Sequence, residues 1–305
     1  MTMLTAVAEL LGLSSNTLVV TVAMAAVGMA AGVVGCFSVL RRRALIGDAA
    51  AHATLPGVAL AFVITGSRGL PVLLIGAAVS AVASLGLLVL LRRFTRTRDD
   101  AATAIVIGVS FGVGVALISG LVARGVPGSG GLERFLLGST ASLSAADAGL
   151  LVLVSLLSTG LVAAFVKEAT VVSFDPGFAA AAGWPVWWID FALVAMTAVM
   201  VVAGLPAAGA VLVTALVVIP PVAARQWTDR VGVMLVLAGA FGLLSAVAGV
   251  AASAVVPGLA TGPMVVLASA ALFAVSLVCA PSRGLLAVAL RPRLPLEPPP
   301  ERAVP

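Results

Sequence analysis

The chain has 305 residues, of which 62% are hydrophobic and only 10% charged, and its formal net charge is +5. A soluble domain places about a quarter of its residues in Asp, Glu, Lys and Arg, so this composition, with a mean hydropathy of +1.24, excludes one. Nucleic-acid binding would need the basic residues gathered in one patch; here they border apolar stretches in small groups, which excludes that class as well.

Residues 1–16 carry no basic residue ahead of their apolar part, which argues against a cleaved signal peptide and for a short interfacial segment. Nine stretches follow that are long enough to cross about 30 Å of hydrocarbon as helices. They are 17–40, 44–66, 71–91, 101–122, 148–166, 186–204, 207–224, 231–256 and 264–280. Two neighbouring pairs are separated by so few residues that one member also reads as a re-entrant half-helix. The fold class is therefore an all-α integral membrane protein, a polytopic bundle of eight or nine spans over residues 17–280. Residues 281–305 form a proline-rich tail of mixed charge, expected to be disordered.

Charge sets an orientation. Arg41 to Arg43 follow the first span, Arg92, Arg93, Arg96 and Arg98 the third, and Lys167 the fifth; Arg225 and Arg230 flank the seventh-to-eighth turn, and Arg283, Arg291, Arg293 and Arg302 lie in the tail. If nine helices alternate, only Arg68, Arg124 and Arg134 of the 17 basic residues fall on the other side. The positive-inside rule then places the N-terminus outside and the C-terminus in the cytoplasm.

The second span holds the only histidine. Asp48 and His52 are spaced i, i+4 and so share a helix face, and ionisable groups at membrane depth mark a pathway by default. Pro56 lacks the N–H that would bond the carbonyl of His52 and should kink the helix. A bland alternative pairs Asp48 with Arg41, Arg42 or Arg43 and makes His52 a packing residue. Gly28/Gly32 and Gly108/Gly112 have the spacing that lets membrane helices approach closely. Cys36 and Cys279 read as small buried hydrophobes.

Two loops interrupt the spans. In 123–147 a glycine-rich turn leads to a short interfacial helix over Leu132–Gly138, and Asp147 is placed to cap the next span. In 167–183, Asp175 is an N-cap carboxylate before a first-turn proline, Pro176, and Gly183 supplies the stop. The result is a helix of about two turns centred on 177–182, too short to stand alone. Further on, Asp99 and Asp100 read as caps of the fourth span. Asp190, after Trp187 and Trp188, reads as a carboxylate near a helix N-terminus within an aromatic belt. Pro220-Pro221 removes two ladder bonds and marks a bend or gate.

Taken together these motifs carry a resemblance. Gly47-Asp48-Ala49-Ala50-Ala51-His52-Ala53-Thr54-Leu55-Pro56-Gly57-Val58-Ala59 resembles the signature of membrane subunits of ABC importers for manganese, zinc or iron. Phe135–Ser139, Ser173–Ala179 through Gly183, Gly209–Val213, Ile219–Ala224 and Thr261-Gly262-Pro263 match in the same order, over roughly residues 15–280. The chain departs where the family often has a single proline followed by alanine (here Pro220-Pro221) and an acidic residue before the last turn (here Leu259-Ala260).

The resemblance implies an all-helical permease in the cell membrane that pairs with a second copy of itself, cytoplasmic ABC ATPase subunits and an external or periplasmic metal-binding protein. Phe174–Gly183, capped at both ends, too short to be stable unsupported and cytoplasmic by the arginine count, is then expected to be the coupling helix that sits in a groove of the ATPase, through Phe174, Asp175, Pro176, Phe178, Ala179 and Gly183.

The chemistry agrees with that implication. Carboxylate and imidazole suit Mn²⁺, Fe²⁺ or Zn²⁺ as a transported ion, with no permanently bound cofactor, and two ligands doubled by a two-fold axis make a transient site. A Walker A loop needs Gly-Lys-Ser/Thr, and the sole lysine is Lys167 after Phe165-Val166, so the energy source is another polypeptide and the chain is no enzyme. The rival readings are a proton- or sodium-coupled secondary transporter using Asp48 and His52 as a relay, and an intramembrane protease built on Asp48 and Asp190.

Overall fold

The computed structural model describes residues 15–129, 131–132, 138, 140, 143–255 and 259–290. The segment expected before residue 15, most of the helix expected over 132–138 and the tail beyond 290 lie outside the described residues.

Among the described residues nine helices are long and apolar enough to cross a membrane. They are α1 (Ser15–Leu40), α2 (Ile46–Thr65), α3 (Leu70–Phe94), α4 (Asp99–Ala123), α5 (Ala145–Ala164), α8 (Val186–Ala208), α9 (Ala210–Trp227), α10 (Val231–Val255) and α11 (Thr261–Cys279). Three short helices complete the chain: α6 (Val166–Phe174), α7 (Pro176–Ala181) and α12 (Leu285–Leu290). The eight-span alternative falls because both close pairs are full helices. Arg42, with φ of 56°, turns the chain between α1 and α2, and Gly209 alone, with φ of 80°, separates α8 from α9. The second turn needs a glycine, since a Cβ is disfavoured at positive φ.

Helix α1 is the central post, packed against α5, α8, α9 and α10, while α2 packs on α3 and α4. Small residues make this possible. A Cβ added at Gly28 or Gly32 would run into the backbone carbonyl of Gly242 or Ala238 on α10, and one at Gly57 would meet Gly76 on α3. Where lipid and core are equally apolar, such close approach is the main source of helix association. Pro221 adds a further contact: it leaves the carbonyl of Val217 without its helical donor, and Gly35 of α1 packs directly against that oxygen. Helix α9 runs through Pro220 and Pro221, both buried.

Gly108 and Gly112 correct the expectation drawn from spacing, because a Cβ at either would meet nothing within 4 Å. Their face of α4 is open. Gly28→Val should therefore cost about 3 kcal/mol or more through forced backbone movement, whereas Gly112→Val should leave the single chain's stability within about 0.5 kcal/mol. Unfolding midpoints of the two variants in detergent check this, and equal losses would mean that α4 is packed within the chain.

Three local expectations are also revised. Cys279 is exposed, as the last residue of α11, while Cys36 is buried within α1. Asp99 is itself the first residue of α4 and takes no capping bond; its carboxylate lies 3.2 Å from Arg92 at the end of α3. The cap of α5 is Ser144, whose hydroxyl accepts from the Asp147 amide (3.1 Å) while Asp147 accepts from the Ser144 amide (3.3 Å). This reciprocal pair puts Asp147 three residues inside the position expected for it.

Candidate functional site

Asp48 lies in the first turn of α2 and His52 one turn on, and the two do share a face, with Nε2 of His52 3.6 Å from Oδ1 of Asp48. That separation is longer than a hydrogen bond. Their side chains are 46% and 31% exposed, whereas Ala49, Ala50, Ala51 and Ala53 are fully buried. The alanines and Gly47 form the packed side of α2, with Val201 of α8 and Val217 of α9 in van der Waals reach of Gly47. The uncovered side is the i, i+4 series Asp48, His52, Pro56, Leu60 and Ile64.

Phe111 of α4 braces the imidazole edge-on, ring centroids 5.2 Å apart at 87°. This contact was not foreseen from sequence, since Phe111 carries no motif. Nδ1 of His52 is buried without a hydrogen-bond partner among the described residues. One copy thus presents two donors, one of them with an unsatisfied nitrogen, and no group of three or more His, Cys, Asp or Glu gathers among the described residues.

Two of the three arginines after α1 are engaged away from Asp48. Arg41 and Arg43 both pair with Asp190 near the start of α8, Arg43 at 2.6 Å. Burial lowers the Arg41 pKa from its ordinary value, opposed by the charge of Asp190 and reinforced by repulsion from Arg43 and Arg92. Asp190 is therefore a structural counter-ion joining the α1–α2 turn to α8, and Asp48 is left to His52. Asp190 pairs with Arg41 and Arg43 and Asp48 with His52, and no contact joins the two carboxylates among the described residues, so the facing aspartates of the protease reading are not assembled.

The second element of interest is the α6–α7 junction. Helix α6 was not foreseen, because Lys167 and Glu168 read as the start of a loop; the inward positions Ala169 and Val172 keep an apolar face across them. Asp175 closes α6 and caps α7, its Oδ1 accepting from the Phe178 amide at 2.8 Å. Pro176 opens α7, and Gly183 leaves it with φ of 80°. Ala179 is buried against the bundle, while Phe174 and Phe178 are 57% and 62% exposed.

The model for the ABC 3 transport family matches residues 14–280. The chain belongs to that family. It is 41% identical over 264 residues to the manganese transport system membrane protein MntC of Bacillus subtilis, covering 87% of this chain and 61% of that one. It is 39% identical over 259 residues to the zinc transport system membrane protein TroC of Treponema pallidum, covering 85% and 87%. Among solved structures, PsaBC from Streptococcus pneumoniae in complex with Fab superposes with a TM-score of 0.76 at 27% identity, covering 88% of this chain and 94% of that one. An inward-facing putative metal-chelate type ABC transporter gives 0.63 at 16% identity, covering 85% of each, and shows the fold alone. Membership fixes the chain as a multi-pass membrane protein of the transport-permease type.

Proposed function

We propose that two copies of this chain form the pathway of an ATP-driven importer for a divalent transition metal, Mn²⁺, Fe²⁺ or Zn²⁺. The observation that carries the reading is the uncovered stripe of α2. A carboxylate and an imidazole facing hydrocarbon are expensive, so that stripe needs a partner, and a second copy related by a two-fold axis brings two more of the same donors. Four nitrogen and oxygen ligands suit these borderline ions.

The open glycine face of α4 supports the same seam. Gly108, Phe111 and Gly112 lie on one side of α4, Phe111 touches His52, and no described residue comes within 4 Å of a Cβ at either glycine. Pro56, Pro220 and Pro221 are the proposed points of bending during transport.

The arginine-rich turns face the cytoplasm in this reading, with the N-terminus outside. The α6–α7 junction docks to a separate ATPase, and a metal-binding protein delivers the ion from the other side. The related manganese and zinc transport proteins support the substrate class. The test is the energy source. Right-side-out vesicles holding the chain with its ATPase and binding protein, loaded with ATP, should accumulate Mn²⁺, and an imposed proton gradient without ATP should not drive accumulation. Gradient-driven uptake would instead make Asp48 and His52 a proton relay.

A further inference from the structure

A cavity of about 550 Å³ lies where the α1–α2 turn, the end of α3, the α6–α7 junction and the start of α8 meet. Its polar lining is Arg41, Arg43, Arg93, Ser173, Trp187 and Asp190. Three guanidiniums face one carboxylate, so the lining carries an excess of two positive charges. Asp190 is already shared between Arg41 and Arg43. Arg93 has no carboxylate partner among the described residues; its guanidinium rests on the rings of Phe94 (5.6 Å) and Trp187 (5.9 Å). The indole N–H of Trp187 is buried with no acceptor among the described residues, an arrangement that costs free energy, while its ring lines the cavity. Ser173 spends its hydroxyl hydrogen on the carbonyl of Ala169. The cavity therefore offers several donors and a net positive field, with its one carboxylate already engaged.

We propose that this cavity binds a phosphate group. Planar guanidiniums match phosphate oxygens in pairs, and a doubly charged anion neutralises the surplus. Two sources share that chemistry: the headgroup of an anionic phospholipid, which basic pockets between membrane helices take up at this depth, and free inorganic phosphate. Because Ser173 sits beside Phe174 and Asp175, an occupant braces the α6–α7 junction against α8. The proposal does not depend on the nature of the transported ion.

The full chain in phosphatidylcholine nanodiscs, with and without added phosphatidylglycerol, supplies the test. Native mass spectrometry counts retained lipid, and the indole emission change on adding inorganic phosphate reads the second source. Trp187→Phe assigns that signal. Arg93→Gln leaves the Arg41–Asp190–Arg43 cluster intact and should weaken binding about tenfold, the usual worth of one charge-assisted pair. Selective retention of phosphatidylglycerol that drops in Arg93→Gln supports the lipid source. Saturable phosphate binding that drops in the same variant, without lipid selectivity, supports the free anion. Neither response, or responses equal in wild type and Arg93→Gln, overturns the proposal and leaves the cavity to a carboxylate from a partner protein.

Discussion

Replacing either Asp48 or His52 with alanine is expected to lower metal uptake by about a hundredfold or more, with the amount of assembled protein unchanged. Loss of groups that only orient metal ligands already costs about 10- to 100-fold, and a change in one chain removes two of the four donors in a two-fold site. Folding should be spared because both side chains lie on the uncovered stripe of α2, and alanine is a good helix former. The packed side, Gly47 with Ala49, Ala50, Ala51 and Ala53, is untouched. Uptake normalised to membrane-inserted protein decides the point, and normal transport by both variants would make His52 a packing residue braced by Phe111.

Phe174→Glu should separate transport from its energy source. Phe174 and Phe178 expose their rings on either side of the Asp175 cap. Burying one such ring in a partner groove contributes about 1.5–3 kcal/mol, so a charge there should weaken ATPase association by about tenfold to a hundredfold. The alternative outcome within the same account is hydrolysis that proceeds without uptake. Asp175→Ala is the milder companion: loss of the cap costs about 1 kcal/mol locally and should reduce coupling without removing the aromatic anchors. Association is measured by co-purification and coupling by ions moved per ATP consumed. Wild-type values for Phe174→Glu would show that the ATPase docks elsewhere.

The spans could be read from sequence because hydrocarbon imposes both length and apolarity on any crossing helix. The Asp48–His52 face and the Asp175 cap were legible for a related reason: each depends on spacing within one or two turns. What sequence hid depends on contacts between distant segments. Gly28/Gly32 and Gly108/Gly112 have identical spacing, yet the first pair packs on α10 and the second faces open space. No local pattern distinguishes them, because the difference lies in which helix comes alongside. Asp190 likewise reads locally as a carboxylate near a helix start, while its guanidinium partner Arg43 is 147 residues away.

Two other differences carried a signal that was present but outweighed. Ser144-Ala145-Ala146-Asp147 has a capping-box spacing that assigns the cap to the serine. Ala169 and Val172, three apart, continue an inward face past Lys167 and Glu168 and so announce α6. Charged residues at a membrane boundary drew attention to a loop where an amphipathic helix continues.

In the proposed pathway Asp48 and His52 of two chains meet around one ion, and electron paramagnetic resonance of Mn²⁺ added to the purified chain tests that directly. The predicted result is one bound Mn²⁺ per two chains, with nitrogen modulation from imidazole in the electron spin echo that vanishes in His52→Ala. A nitrogen-free spectrum unchanged by His52→Ala, or one ion bound per single chain, would contradict it.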